Sequence, residues 1–178
     1  MDLPEELAGR PPRKPGQHPT ASLTLGAFRR LATELDELRT AGRDRIAERL
    51  KVAREHGDIR ENAEYDVTKN EQALMEARIR TLERMLRDPD IVEAPVASDV
   101  VAAGMLVTVR SLDEDDAEDE TYLLAESAEE RAKGARTITT TSPLGTALMG
   151  VGPDQEVVYE APGGKFRYVV VSFEPYRS

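Results

Sequence analysis

The chain has 178 residues, of which 39% are hydrophobic and 33% are charged, and this length allows one or two small domains. It contains no cysteine, which excludes a disulfide framework and any thiolate metal or nucleophile chemistry. No apolar run is long enough to span a bilayer, and residues 1–22 lack the apolar core of a signal peptide, so we expect a cytoplasmic protein with no membrane partner.

The net charge of −10 is distributed unevenly along the chain. Residues 23–90 carry 15 acidic and 14 basic side chains, a net charge of −1, whereas residues 91–178 carry 16 acidic and 7 basic side chains, a net charge of −9. No region has the basic excess with which a protein binds duplex nucleic acid by itself. If the protein contacts nucleic acid, a partner has to bring it there.

Residues 1–22 contain five prolines and few apolar side chains, a composition typical of segments that form no packed core. We predict that they form a flexible, loosely attached arm. The small basic cluster of Arg10, Arg13 and Lys14 is interpreted as a solvated part of this arm.

Residues 24 to about 55 have the apolar spacing of a helix, with Thr24 as the predicted N-cap. Apolar and small residues recur at steps of three and four, with one extra step of four near the middle. These residues are Phe28, Leu31, Leu35, Leu38, Gly42, Ile46, Leu50 and Ala53. The pattern predicts a coiled-coil seam with one stutter. Gly57 is predicted to end the helix.

A second helix is predicted from about residue 61 to 87, and Pro89 stops it. Its seam consists of Tyr65, Thr68, Gln72, Met75, Ile79, Leu82 and Leu86. Because only a few residues connect the two helices, they should pack as antiparallel neighbours. Residues 23–90 are therefore predicted to form an antiparallel coiled-coil hairpin whose seam becomes smaller and more polar toward the connection.

Residues 91–178 contain short apolar and β-branched runs, which predict a small α+β domain with an antiparallel sheet. The predicted strands are residues 105–110, 121–125, 136–141, 156–160 and 165–173. A hairpin turn is predicted at Pro162-Gly163-Gly164, between the last two strands. Ser142 and Pro143 are predicted to start a short helix as its N-cap and first residue.

The connection between the two long helices carries Asp58, Glu61 and Glu64 close together. One interpretation is structural, because Asp58 and Glu61 have the spacing of a capping box at the start of the second helix. The other is that these two acids bind Mg²⁺, which takes six oxygen ligands in an octahedral array. Two carboxylates are an incomplete site, so another macromolecule would have to supply the remaining ligands. Spacing alone favours the capping box.

Basic residues flank these acids on both helices, at Lys51, Arg54, Arg60 and Lys69. They could pair with neighbouring acids along the helix faces, or they could contact the phosphates of a single-stranded nucleic acid. The sequence contains two widely separated histidines and no cysteine, so a zinc site is not expected.

Several stretches of the chain are similar to the motifs of one known family. They are Ala53-Arg-Glu-His-Gly-Asp-Ile-Arg-Glu-Asn-Ala-Glu-Tyr65, then Lys69, Glu71, Gln72 and Glu76-Ala77-Arg78-Ile79, and in the C-terminal part Ser142-Pro143-Leu144-Gly145, Ala147-Leu148 and Pro162-Gly163-Gly164. The first stretch resembles the tip motif, and the last three the C-terminal signature, of the bacterial GreA/GreB family of transcript cleavage factors. The similarity extends from about Thr24 to Tyr176.

The resemblance implies an N-terminal coiled-coil hairpin at residues 23–90 and an FKBP-like domain at residues 91–178. It implies a monomeric accessory factor, not an enzyme by itself, that binds bacterial RNA polymerase at the rim of its secondary channel. Ser142 and Pro143 would belong to the surface that contacts the polymerase. The hairpin would enter the channel, so that the polymerase cleaves backtracked RNA and arrested elongation complexes are rescued.

The resemblance also gives roles to individual residues of the hairpin. Asp58 and Glu61 match the two acids that help to hold a Mg²⁺ shared with the polymerase, so they are the expected catalytic and metal-binding residues. Arg54 and Lys69 match basic residues that contact the 3′ end of the backtracked RNA. The resemblance therefore favours the functional interpretation of the acids over the capping box.

Three other functions remain possible on the sequence alone. Some relatives occupy the channel and inhibit or modulate transcription without inducing cleavage. An FKBP-like domain could be a peptidyl-prolyl isomerase, although the chain has no tryptophan and only eight aromatic residues, 5 tyrosines and 3 phenylalanines. A purely structural coiled coil is the last alternative, and for it the acids would have no role.

Overall fold

The computed structural model describes residues 5–55, 63–93, 95, 98–114 and 116–176. The chain divides into two compact units. The sheet unit comprises Met1–Lys14, Ser22–Ala27 and Asp90–Ser178, and the hairpin unit comprises Pro15–Ala21 and Phe28–Pro89. The domain bounds expected from the sequence, at residues 1–22, 23–90 and 91–178, stay a prediction.

The first half of the chain is helical, as its apolar spacing predicts. Its elements are α1 (Glu5–Ala8), β1 (Ser22–Leu23), α2 (Leu25–Glu37), a turn of π-helix (Leu38–Gly42), α3 (Arg43–Glu55) and α4 (Ala63–Arg87). Thr24 caps α2 as predicted, since its Oγ1 accepts a hydrogen bond of 3.1 Å from the backbone N–H of Ala27. The predicted helix end at Gly57 lies outside the described residues.

The π-helical turn lies where the sequence predicts a stutter. A π turn contains one residue more than an α turn, so it shifts the phase of the residues that follow. Gly42, at the end of this turn, is buried, and a Cβ added to it would lie 3.1 Å from Sδ of Met75 on α4. The glycine therefore allows α4 to approach the wide turn closely.

The predicted seam is buried, and it joins α3 to α4 as an antiparallel pair. Its most buried members are Phe28, Leu31, Ile46, Leu50, Ala53, Thr68, Ile79 and Leu82. Ion pairs flank the seam on the outside, with Arg39 and Glu83 at 2.5 Å, Arg43 and Glu76 at 2.8 Å, Arg78 and Glu34 at 2.7 Å, and a further pair between Arg49 and Glu71. Along the chain, Arg39, Arg43 and Arg49 pair with Glu83, Glu76 and Glu71 in that order, which confirms the antiparallel direction of the hairpin.

Residues of the predicted arm contact the end of α4 within the hairpin unit. Thr20 donates from Oγ1 to the carbonyl of Met85 at 2.9 Å and from its backbone N–H to the carbonyl of Asp88 at 2.9 Å. Gln17 donates to the carboxylate of Asp88 at 3.1 Å. The two bonds from Thr20 satisfy backbone carbonyls where α4 ends, which a helix terminus otherwise leaves unpaired.

The sheet unit contains a two-stranded and a five-stranded sheet. Its strands after α4 are β2 (Asp90–Ile91), β3 (Met105–Ser111), β4 (Asp119–Ala125), β5 (Arg136–Thr139), β6 (Glu156–Ala161) and β7 (Gly164–Pro175). β1 pairs with β2 in parallel, and the larger sheet has the order β5-β4-β3-β7-β6.

The α+β fold with an N-terminal helical hairpin is confirmed, but the larger sheet is mixed and not wholly antiparallel. Three of its pairings are antiparallel, while β4 and β5 run parallel with Tyr122 opposite Arg136. The chain leaves β4 through residues 126–135 and returns beside it in the same direction, so no tight hairpin joins these two strands. Thr137 of β5 donates to the carbonyl of Glu130 at 2.8 Å and holds this connection against the sheet.

The core of the sheet unit lies between the sheet and α5 (Pro143–Leu148). On β3, Met105, Val107 and Val109 are buried and alternate with more exposed residues, as expected for a strand with one face on a core. Leu144 and Leu148 of α5 pack in the same cluster. The predicted turn between β6 and β7 is present, with Ala161 paired to Gly164, whose φ of 127° favours glycine.

A buried carboxylate fastens the start of α2 within the sheet unit. Glu130 is 4% exposed and accepts hydrogen bonds from the backbone N–H and from Oγ1 of Thr24, at 2.6 and 2.7 Å. The hydroxyl of Thr24 thus donates to Glu130 while it accepts from Ala27, so both of its hydrogen-bonding roles are used.

Candidate functional site

The candidate site lies on the connection between the two long helices of the hairpin. α3 ends at Glu55 and α4 begins at Ala63. Asp58 and Glu61 fall between these helix ends and lie outside the described residues. In the sequence, both acids therefore fall between the ends of two antiparallel helices, and their binding of Mg²⁺ stays a prediction.

The fully buried seam residues near this link have small side chains. Ala53 on α3 and Thr68 on α4 are both 0% exposed, while the seam residue Tyr65 is partly exposed. The hydroxyl of Thr68 donates to the carbonyl of Glu64 at 2.8 Å, which satisfies a polar group that burial would otherwise leave unpaired. Small residues allow the two helices to approach each other closely next to the link.

Arg54 lies in the last turn of α3, one residue before the helix ends at Glu55. Its side chain is exposed, and its Cζ lies over the ring of Tyr65, 5.7 Å from the ring centroid. This distance is within the range of a cation–π interaction. The predicted RNA-binding arginine is thus packed against an aromatic ring of the other helix.

Lys69 lies on α4, and its ammonium group donates to Oε1 of Gln72 at 2.7 Å. Gln72 also lines an open groove together with Lys51 and Arg54. The two predicted RNA-binding residues therefore share Gln72 as a neighbour. The structure brings Arg54 and Lys69 to the same region of the hairpin, on opposite helices.

Ser142 and Pro143 occupy the start of α5 in the sheet unit, as predicted. The Oγ of Ser142 accepts from the backbone N–H of Gly145 at 3.1 Å and donates to the carbonyl of Thr139 at 2.8 Å. Pro143 is exposed at the first helical position. The serine therefore fixes the turn between β5 and α5, and the proline is available on the surface for a contact.

Two groups of residues near or beyond the site were not singled out by the sequence pattern. Tyr65 was assigned to the seam and to the tip motif, but the contact of its ring with Arg54 was not predicted. In the sheet unit, the ring of Tyr159 stacks on those of Phe166 and Tyr168, with centroids 5.4 and 6.0 Å apart. This stack could have been predicted from the turn at residues 162–164, because the turn places Tyr159 opposite Phe166.

The electrostatics of the described hairpin are dominated by its exposed ion pairs. The hydrogen bond that Glu76 accepts from Arg43 holds the pKa of that carboxyl below its ordinary value of 4.5. In the part of the chain that the structure describes, no cluster of three or more histidine, aspartate or glutamate side chains could hold a metal ion. No helix among the described residues is long and apolar enough to cross a membrane.

Comparison with known proteins finds two family models that together match most of the chain. The model described as "Transcription elongation factor, N-terminal" matches residues 21–91. The model described as "Transcription elongation factor, GreA/GreB, C-term" matches residues 96–175. The boundary between the two models lies close to that between the hairpin and the large sheet.

Curated relatives match along most of their own length. Transcription elongation factor GreA of Bacillus velezensis is 40% identical over 149 residues, which cover 84% of this chain and 93% of the relative. The protein of the same name from Staphylococcus aureus is 39% identical over 153 residues, which cover 85% and 95%. Among solved structures, the GreA factor homolog 1 protein of Thermus thermophilus is 25% identical, with a TM-score of 0.38 and coverage of 86% of this chain and 98% of that one.

Proposed function

Since the chain belongs to the GreA/GreB family of transcription elongation factors, we propose that it stimulates RNA polymerase to cleave backtracked RNA and so rescues arrested elongation complexes. It is an accessory factor, and the polymerase supplies the active site. The observation that supports the proposal is the antiparallel pairing of α3 and α4, which end and begin at Glu55 and Ala63, on either side of Asp58 and Glu61 in the sequence. Arg54 lies in the last turn of α3, and Lys69 lies in the second turn of α4.

The donor set of this link fits a magnesium ion that is shared with a partner. Mg²⁺ prefers oxygen ligands, and in many sites it takes only one or two carboxylates from a given protein. Asp58 and Glu61 would hold the ion together with ligands from the polymerase. When bound, such an ion activates a water molecule for attack on a phosphodiester.

The remaining hairpin residues bind and orient the RNA in this proposal. Arg54 and Lys69 lie on the two helices that flank the link, and both are exposed. Their positive charges suit the phosphates at the 3′ end of a backtracked transcript. The hairpin as a whole carries nearly balanced charge, so only a local cluster of positive charge such as Arg54 and Lys69 favours RNA binding. Contacts with the polymerase provide the rest of the affinity.

The sheet unit provides the docking surface for the polymerase at the rim of its secondary channel. Ser142 holds α5 at a fixed turn through two hydrogen bonds, and Pro143 is exposed beside it. The protein acts as a monomer in the cytoplasm, where the polymerase works.

The test is a halted, backtracked elongation complex with Mg²⁺, to which purified protein is added. We expect faster release of 3′ RNA fragments, and loss of this effect with Asp58→Asn or Glu61→Gln while binding to the polymerase is retained. Asp66→Asn is the matched control, because it removes an acid from the first turn of α4 that has no part in the proposed site.

The same experiment distinguishes the alternatives. If the wild-type protein binds the polymerase and slows transcription without shortening the RNA, it is a channel-binding regulator that does not induce cleavage. If wild type, Asp58→Asn and Glu61→Gln behave alike in every assay, the acids have no catalytic role. A prolyl-peptide assay on the wild-type protein tests the isomerase alternative separately.

A further inference from the structure

The contact between Arg54 and Tyr65 joins the two helices at the end of the described hairpin. Arg54 belongs to the last turn of α3 and Tyr65 to the first turn of α4. The guanidinium carbon lies 5.7 Å from the ring centroid. An arginine placed over a tyrosine ring is attracted to the negative face of the ring, and its flexible stem loses freedom in the process.

The ring that carries Arg54 is itself held in place. Tyr65 is a seam residue and is only partly exposed, while its neighbouring seam position Thr68 is 0% exposed. Ala53, which precedes Arg54 and faces the seam from α3, is also 0% exposed. A ring anchored in a packed seam offers a fixed surface, so a side chain stacked on it keeps a defined orientation.

The two proposed RNA-binding residues differ in how they are held. Lys69 makes one hydrogen bond, to Gln72, and its ammonium group can rotate. The guanidinium carbon of Arg54 lies over the ring of Tyr65, and its N–H donors lie along the edge of the planar guanidinium group. Edge donors are the ones that bind phosphate oxygens in pairs.

We propose that Tyr65 is a positioning residue for RNA: its ring holds the guanidinium of Arg54 in the orientation in which its edge donors reach a phosphate of the transcript. This inference rests on the proposed function, because it assigns the RNA contact to Arg54. Tyr65 acts through Arg54 and does not touch the reacting atoms. Pre-ordering the arginine lowers the entropy that is lost when the RNA binds.

The experiment compares Tyr65→Leu and Tyr65→Phe in the wild-type and in the Arg54→Gln background, with cleavage measured at saturating protein. Tyr65→Leu should lower the cleavage rate about two- to fivefold, the range expected for one exposed cation–π contact. Tyr65→Phe keeps the ring and should restore most of the rate. In the Arg54→Gln background, Tyr65→Leu should cause no further loss, because the residue through which it acts is absent.

Phe28→Leu is the matched control, since it also replaces an aromatic seam residue of the hairpin unit by leucine, but at the opposite end, where Phe28 is 4% exposed. It should lower stability without lowering the cleavage rate at saturating protein. The inference is overturned if Tyr65→Leu cleaves like the wild type, or if it causes the same loss with and without Arg54. It is also overturned if Tyr65→Phe is as defective as Tyr65→Leu.

A second measurement separates this inference from the proposed function. In the free protein, nuclear magnetic resonance relaxation of the Arg54 Nε–H should show a more mobile side chain in Tyr65→Leu than in the wild type or Tyr65→Phe. Equal mobility in all three proteins would contradict the holding role of Tyr65. A wild-type protein that does not shorten backtracked RNA would instead refute the proposed function, whatever the mobility of Arg54.

Discussion

The hairpin and the sheet unit are stabilised in different ways. The hairpin has a single narrow seam, which changes from Leu31, Ile79 and Leu82 at one end to Ala53 and Thr68 beside the link. Exposed arginine–glutamate pairs line its outside. The sheet unit has a broad core between five strands and α5, with aliphatic and aromatic residues in one cluster.

This difference matches the division of roles in the proposed function. The fully buried seam residues near the link are small, and the surface of the hairpin can carry charged groups that act elsewhere. Because Ala53 and Thr68 bury little apolar area, we expect the hairpin to be less stable near the link than at its other end. The sheet unit buries large side chains and can present a rigid surface to a partner.

The largest expected effect comes from a seam residue at the stable end of the hairpin. Leu82 is 0% exposed, so Leu82→Ala should destabilise the hairpin by about 2–5 kcal/mol through lost burial and the cavity that remains. Leu74→Ala is the matched control on the same helix. Leu74 is 64% exposed, and its replacement should change stability by no more than about 0.5 kcal/mol.

Urea denaturation followed by the helical circular dichroism signal measures both variants. Equal destabilisation by Leu82→Ala and Leu74→Ala would contradict the seam, because it would mean that α4 presents a different face to α3. It would also remove the basis for placing Tyr65 and Thr68 on the face of α4 that packs against α3.

Replacing one glycine in each unit by alanine tests the difference between the hairpin and the sheet unit further. A Cβ at Gly145 of α5 would lie 2.0 Å from the carbonyl oxygen of Thr139, a backbone atom that the sheet holds in place. Gly145→Ala should therefore cost about 1–3 kcal/mol or more. A Cβ at Gly42 would come closest to the flexible thioether of Met75, at 3.1 Å, and would meet the Glu37 carbonyl oxygen at 3.4 Å, close to an ordinary contact distance. Alanine favours a helix over glycine by about 1 kcal/mol.

Gly42→Ala should consequently leave the stability within about 1 kcal/mol of the wild type. Thermal unfolding of the two variants provides the measurement. A loss at Gly42 as large as that at Gly145 would show that the π-helical turn is as rigid as the sheet unit, and that Met75 has no space to move aside.

The helical hairpin could be predicted well from the sequence because its pattern repeats over many turns. The seam, the N-cap at Thr24 and the stutter at the π turn all follow from spacing between residues in one helix. The five strands were also placed, since β-branched runs and the turn at residues 162–164 are local signals.

Features that depend on distant contacts were missed. The parallel pairing of β4 and β5 depends on the path of residues 126–135, which have no periodic pattern. The contact of Arg54 with Tyr65 joins two helices, and each residue had already been given a role of its own. The buried Glu130 finds its partner, Thr24, 106 positions away, a distance over which spacing gives no signal.

The smallest expected effect concerns Tyr122, a buried tyrosine of the sheet unit. Burial, together with the hydrogen bond from the Tyr122 hydroxyl to the Glu120 carboxylate, raises the pKa of Tyr122 above its ordinary value of 10.0. The folded state therefore favours the protonated phenol. This contribution is fully present below pH 10.0 and is lost as the pH rises from there through the pKa of the folded state.

Tyr122→Phe should cost about 0.5–1.5 kcal/mol at neutral pH, the value of one hydrogen bond, and should make stability less sensitive to pH above the ordinary tyrosine pKa. Denaturant unfolding at neutral and alkaline pH measures both effects. Glu120→Gln is the control, because it removes the charge that opposes ionisation but keeps a hydrogen-bond acceptor for the phenol. If Tyr122→Phe loses stability at alkaline pH as steeply as the wild type, ionisation of Tyr122 is not what weakens the sheet unit there.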